Sequence, residues 1–534
     1  MSDANVTETA DQPTQPAPIE AGRPLSAAGR VARLVFIFLL CVYLVTNRGS
    51  VWSSDAALRI GLTEHLVSYG KLGYPPDCLR WLQVDQGRMM WGPGHPFLLV
   101  PSVLAGRLAV VVTHPADPLK AAKLQQLVRE LGATVTNALL AAFTSALLLM
   151  TGAVLGYSLR VCLLASLTFG LGCIWWPYSQ DAFYEVLQGT CLLAAFYYAL
   201  RYVRRPSVST AVLCSAALGY ELITKLPNAS MLLAIVAYWL VWRATHKGKS
   251  PLREGKALAA FVLVFVAFGL VQVWADWSWS GKLFASQLSK DPDFQLALQQ
   301  GNMLLGALQA LFGLDCGLLW YSPLLVVGLL WLPALGRRDR ALAAAFVITL
   351  LLGLAIVGKT ILIQGRSWGP RYFAEVFPIL ALTLFPWIDS ALQPQRRALR
   401  RFTIAFFCLA VVLQLLATTV HMERFWDDNR RMGEVAASRF PNNCPLARRP
   451  AELAQVLHSM ASHEAWGLAA ESRDARSAEH LADRARPLNV LNYWWSLAYY
   501  QRVPWPALAF VVLLLLSVGG VCLRSAVHQV RAST

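Results

Sequence analysis

The sequence predicts an all-α polytopic membrane protein, and three observations lead there. Of its 534 residues 56 % are hydrophobic and only 15 % charged, where soluble domains carry about 25 % charged residues. The mean hydropathy is +0.46. About twelve apolar runs approach the ~20 residues that cross a bilayer as a helix. The +16 formal charge would suggest a nucleic-acid partner in a soluble chain. Here much of the surplus lies in short Arg/Lys clusters between apolar runs, as membrane topology requires, and nucleic acid is set aside. Most of the ten cysteines, such as Cys41, Cys162, Cys191 and Cys522, fall inside apolar runs, where a free thiol acts as a small hydrophobe. No CxxC or Cys/His spacing points to a metal or redox motif.

Taken in order, residues 1–30 are rich in Thr, Gln, Pro, Ala and acids and cannot build a core; they read as a disordered cytoplasmic tail. The spans are expected at 34–46, 131–155, 161–177, 186–202, 208–223, 229–242, 257–274, 317–335, 341–357, 373–388, 402–420 and 504–523. One further run, "PFLLVPSVLAGRLAVVVT" (96–113), is long enough to cross but holds Pro101 and Arg107. Parity decides its place. If it lies along the surface, "RYVRR", "RATHKGKSPLREGK", "GRRDR", "QRRALRR" and the tail after Arg524 all face the cytoplasm. Short cytoplasmic loops should carry the Lys/Arg excess. The run is therefore read as an interfacial helix or shallow re-entrant hairpin. Both termini then lie inside, and two long loops, about 48–130 and 421–503, lie outside. The chain divides into the tail, a transmembrane core at 31–420, a small helical cap at 421–503 and a last helix with its tail at 504–534.

This topology gathers the ionisable residues at the outer ends of spans. Asp55 follows the first span, Asp181 and Glu185 flank the third and fourth, and Lys225 ends the fifth. Lys359, Arg366 and Arg371 fill a short loop between the ninth and tenth. Carboxylates beside cations at headgroup depth suit sugar transfer from a lipid phosphate. The acceptor hydroxyl needs a base, and the leaving phosphate needs fixed cations. A carboxylate pair is also able to hold a divalent ion (Mg, Mn or Zn) at that phosphate.

Five stretches carry a family resemblance. "SSDAAL" resembles the acidic first-loop motif of GT-C glycosyltransferases, polytopic enzymes that use polyprenyl-phosphate sugars. "YSQDAFYE" is similar to their second acidic site, "LITKLPNA" to their Thr-Lys-x-Pro turn, and "WGPRYFAEVFPILAL" to their Gly-Pro-Arg-Tyr entry to a late span. "GLLWYSPLLVVGLLWL" also resembles a stretch of less characterised bacterial members. The likeness covers roughly 34–420 and lies nearest the bacterial protein or lipid A transferases related to protein O-mannosyltransferases. It implies a GT-C-like bundle of about twelve helices with interfacial helices in the first loop, in a bacterial plasma membrane with its site facing outward. It further implies Asp55 as base of an inverting transfer, and Arg366, Arg371 and Lys225 as ligands of the donor phosphate. Asp181 or Glu185 would serve the acceptor or a metal. The acceptor is a lipid, glycan or protein. Two departures stand out: one acid at Asp55 where many relatives have two, and Glu221 one turn before Lys225 where relatives are usually apolar.

Plainer readings stand beside these. Asp55 suits a helix N-cap. Asp181 and Glu185 are spaced to share a helical face and to favour a helix start. Lys225 with Glu221, and Arg371 with Glu375, are spaced for i,i+4 pairs. His95 in "WGPGHPF" is a turn residue or, with Tyr372, an aid to acceptor positioning. Trp277 and Trp279 read as aromatic-belt residues. Cys78 and Cys444 lie in outer loops where a disulfide is chemically permitted. A transporter or flippase for a lipid-linked saccharide is the main rival, but such proteins place ionisable groups near mid-membrane on repeated broken helices. A glycan ligase using a diphosphate lipid is the other.

Overall fold

The computed structural model describes residues 23–51, 53–73, 92–246, 251–280, 301–360, 367–432, 440–462, 488–500 and 503–533. Arg366, Cys78 and the Trp279 side chain lie outside these. Every regular element among the described residues is helical. The helices of eight residues or more are α1 (Arg23–Val45), α2 (Ser54–Tyr69), α3 (Gly94–Thr113), α4 (Pro118–Val154), α5 (Leu159–Gly172), α6 (Tyr184–Arg204), α7 (Val208–Thr224), α8 (Leu232–Thr245), α9 (Pro251–Ser280), α10 (Met303–Phe312), α11 (Arg340–Thr360), α12 (Leu384–Leu392), α13 (Arg397–Thr419), α14 (Met422–Met432), α15 (Pro445–Ala461) and α16 (Trp505–Ala532). Nine helical stretches among the described residues are long and apolar enough to cross a membrane, two of them, Leu226–Thr245 and Arg371–Leu392, being runs of consecutive shorter turns. Each of the twelve expected runs falls mainly on helical backbone, with 161–177 interrupted at Cys173, which is extended. Two of them are broken into short turns, at 318–338 and 371–392. Pro323, Pro333, Pro378 and Pro386 lie in these stretches, and each removes a backbone donor. The outward sides of α9 and α16 are apolar and exposed, with Leu263 71 % and Phe510 67 % accessible. That inverted surface is what lipid contact requires.

Contacts between helices define two ends of the bundle. At one end Arg338 donates from Nε to Leu155 O (2.8 Å) and reaches Gly156 O, and Tyr238 lies 3.5 Å from Asp339. The basic loops 201–205 and 336–340 belong to this end. At the other, Thr134 donates to Asn47 Oδ1 (2.8 Å) and Asn137 donates to Asp181 O and Phe183 O.

The position of α3 follows from α4. At about 1.5 Å per residue, the 37 residues of α4 extend about 55 Å, well beyond the ~30 Å hydrocarbon core. Only its second half runs beside α1, which ends level with Thr134. The first half projects past that level, and α3 packs antiparallel on it: Gly106 faces Gln125 and Arg129, and Gly132 faces Ser102. The run 96–113 thus sits beside the projecting half of α4 and not among the spans. It is one continuous helix, Gly94–Thr113, and not the re-entrant hairpin that the sequence left open.

The described parts of 421–500 dock on the same end. The Trp494 N–H donates to Asn47 O (2.8 Å), and the Trp494 and Trp495 indoles donate to Leu44 O and Val45 O. Arg449 on α15 is fully buried and donates to Val420 O, His421 O and Glu452.

Candidate active site

Asp55 lies in the first turn of α2, whose N-cap is Ser53. The cap position is therefore taken, and the Asp55 carboxylate faces inward. Its Oδ2 is 2.8 Å from Nη2 of Arg371. Arg371 opens a short 3-10 turn, Arg371–Val376. It follows Gly369, which holds φ at 76°, a left-handed conformation natural to glycine. A Cβ there would strike Tyr321 at 2.9 Å. The turn thus brings the guanidinium under α2 and beside α6, where its Nε donates to Glu185 Oε1 at 2.7 Å. One buried arginine spans two carboxylates from separate elements. Glu185 and Arg371 are buried, while the Asp55 side chain remains 24 % exposed.

Arg59, one turn further along α2, is fully buried. Its Nη2 donates to Ala182 O (3.1 Å), and its guanidinium lies 4.6 Å over the Tyr184 ring. Burial pushes its ionisation down, and the Asp55 carboxylate acts against that. The sequence reading missed this residue. The available signal was an arginine four residues after Asp55 inside an apolar stretch, where a charge needs a partner.

Lys225 sits in extended backbone between α7 and the 3-10 turn Leu226–Met231. Its Nζ is 3.2 Å from Glu375 Oε2 and 5.1 Å from the centre of the Tyr372 ring. Its side chain keeps 15 % exposure, against 0 % for Glu375. Glu221 accepts instead from Asn228 Nδ2 at 3.3 Å. His95 is buried at the start of α3. This start is pinned to α7, since the Tyr220 hydroxyl donates to Gly94 O (2.9 Å).

Three spacing arguments are corrected. Asp181 and Glu185 do not share a helical face: Asp181 lies in the turn before α6, and Phe183 is the N-cap in extended conformation. Asp181 pairs with Arg48 (3.2 Å), whose Nε reaches Asn492 (2.9 Å). Arg371 and Glu375 do not pair, because a 3-10 turn of three residues per revolution puts i and i+4 on different faces. Lys225 and Glu221 do not pair because the chain leaves the helix at Thr224.

A divalent ion would need Asp181 and Glu185 together, but each carboxylate faces a different guanidinium. Among the described residues no group of three His, Cys, Asp or Glu side chains converges. Lys359 donates to Gly301 O (2.9 Å), and Cys444 is buried with its thiol on Leu314 O; its suggested partner Cys78 is among the undescribed residues.

Fold and site define a multi-pass membrane protein with a buried ionic cluster at the end opposite its basic loops. No protein-family model matches the chain. No curated protein matches it either. Among solved structures it is similar to ArnT from Cupriavidus metallidurans bound to undecaprenyl phosphate, with 14 % identity over 93 % of this chain and 76 % of that one and a TM-score of 0.48. It is also similar to the apo state of ArnT from the same organism, with 15 % identity, 92 % and 75 % coverage and a TM-score of 0.43.

Proposed function

We propose that this chain is a GT-C-class membrane glycosyltransferase, moving one sugar from a polyprenyl-phosphate donor to an acceptor hydroxyl outside the cytoplasm. Asp55 is the base. It takes the acceptor's proton as the oxygen attacks the anomeric carbon, and the bond from that carbon to the phosphate oxygen breaks with inversion. Lys225 faces the departing phosphate between the Tyr184 and Tyr372 rings. Arg371 has both Nε and Nη2 on carboxylates. We assign it first to aiming Asp55, with phosphate contact secondary.

One observation supports the reading most. Of the carboxylates gathered here, Glu185 and Glu375 are fully buried and Glu221 is 1 % exposed, while Asp55 is reachable and fixed by a buried arginine. A base must be both oriented and accessible. Replacing Asp55 with Asn should reduce turnover of a polyprenyl-monophosphate sugar by about 10²–10⁴-fold while binding of polyprenyl monophosphate persists. Wild-type turnover in that variant would remove the assignment. Running monophosphate and diphosphate donors side by side separates this reaction from glycan ligation.

A further inference from the structure

The cap and the candidate site meet at one ring, the buried indole of Trp368. The Arg449 guanidinium of α15 lies 5.1 Å from the ring centre, and Tyr321 meets the ring edge-on at 4.8 Å and 85°. A buried indole N–H usually finds an acceptor. That of Trp368 has none among the described residues, so ring contacts are what hold it. Arg449 is itself fixed in the cap: its Nη1 donates to Val420 O and His421 O at 3.3 Å and to Glu452 Oε2 at 3.0 Å. The N-cap of α15 adds a second tether. The Cys444 thiol donates to Leu314 O (3.3 Å), the same carbonyl that accepts the Tyr321 hydroxyl (3.1 Å).

Only Gly369 and Pro370 separate Trp368 from Arg371. The proline ring locks its own φ, here −79°. Gly369 is pressed against Tyr321 and Ile174, where an added Cβ would come within 2.9 and 3.3 Å. The Trp368 carbonyl accepts from the Tyr178 hydroxyl at 3.0 Å. A stiff two-residue link therefore carries the placement of the ring to the guanidinium that sits 2.8 Å from Asp55. Lys225, in the extended stretch after α7, is not part of this link.

We propose that Trp368 is a positioning residue through which docking of the cap sets Arg371, and with it the aim of Asp55. Seating α15 against the ring completes the site. Lifting it leaves Asp55 reachable but misdirected, so the cap governs the chemical step without touching the reacting atoms. The inference rests on the proposed reading of Asp55 as base, and it gives the 421–503 region a role in the reaction.

The test is steady-state release of polyprenyl monophosphate from hexose- and pentose-charged donors by the full-length protein in detergent, with isolated cell envelope as acceptor and kcat expressed per folded molecule. A merely structural ring would change the folded fraction and leave that kcat alone. Trp368→Leu should lower it about tenfold or more, since a misplacement of about 1 Å can cost about 10²-fold. Affinity for polyprenyl monophosphate should stay within about twofold, as for an interaction that matters only in the chemical step. Trp368→Phe keeps an aromatic face and should recover most of the rate. Arg449→Lys keeps a cation for Glu452 but loses the planar group that stacks on a ring. It should lower kcat by itself and add nothing in the Trp368→Leu background, because residues acting through one contact are not additive. Wild-type kcat in Arg449→Lys or in folded Trp368→Leu overturns the inference, as do losses that multiply in the double variant; each of these leaves Asp55 as base. No release by wild type from any of these donors removes the reading of Asp55 and the inference with it.

Discussion

Two ionic clusters lie at the same end of the bundle, and the turn before α6 separates them: Asp181 enters one and Glu185, four residues on, enters the other. The first joins Arg48, Asp181 and Asn492 to the neighbouring Arg449 and Glu452, and ties the described parts of 421–500 to the ends of α1 and α13. Its side chains are more closed off, Arg449 at 0 %, Asp181 at 3 % and Arg48 at 10 % exposure. The second joins Asp55, Arg371, Glu185, Glu375 and Lys225, and leaves Asp55 at 24 % and Lys225 at 15 %. Both use arginine–carboxylate pairs at 2.7–3.2 Å. What differs is access. A closed pair fixes the fold, whereas a pair with one reachable member can change partner or protonation during a reaction. The clusters also touch: the Arg449 guanidinium lies 5.1 Å over Trp368, three residues before Arg371. The cap therefore helps to set the turn that presents the site arginine.

The sharpest way to break this contrast is to remove one charge from each cluster. Asp55→Asn should reduce turnover on the order of 10²–10⁴-fold, the usual worth of a general base, with thermal stability near wild type. Asp181→Asn should leave turnover per folded molecule within a few-fold of wild type and lower the unfolding temperature. The reverse pattern would move the chemistry to the Arg48 cluster. Next in size, Arg449→Ala takes from buried Glu452 its nearer cation and leaves it Arg448 at 3.8 Å. Loss of one partner of a buried pair costs about 3–5 kcal/mol, readable as a large fall in thermal stability in detergent. A variant as stable as wild type would mean that the closed cluster does not hold the cap.

Much of this end was legible in the sequence. The apolar runs gave the helices, and the expected topology brought Asp55, Glu185, Lys225 and Arg371 to one end. The pairings were not legible, and for one reason. Asp181, Lys225 and Arg371 all stand where a helix stops or tightens, so the helical i,i+4 rule fails at each of them. Proline and glycine marked those breaks: Pro177, Pro227 and Gly369-Pro370 each lie within four residues of a charged site residue. Arg48 and Asn492 are 444 residues apart, a distance no local pattern bridges.

The smallest expected effect concerns pH. His421 is buried in the closed cluster and accepts the Glu423 N–H on Nδ1 (3.1 Å), as a neutral ring does. Burial, reinforced by Arg48 and Arg449, holds its ionisation well below the usual histidine range. Once the cap is undocked, the imidazole regains an ordinary pKa of about 6.5 and binds a proton that the docked form refuses. Docking is then fully favoured above that value and weakens as pH falls toward the depressed one, by at most about 1.4 kcal/mol per pH unit. Protease resistance of α15 should accordingly drop below about pH 6.5 in wild type and stay level in His421→Asn, whose side-chain oxygen can still accept the Glu423 N–H. An equal drop in His421→Asn would show that this ring does not control docking of the cap.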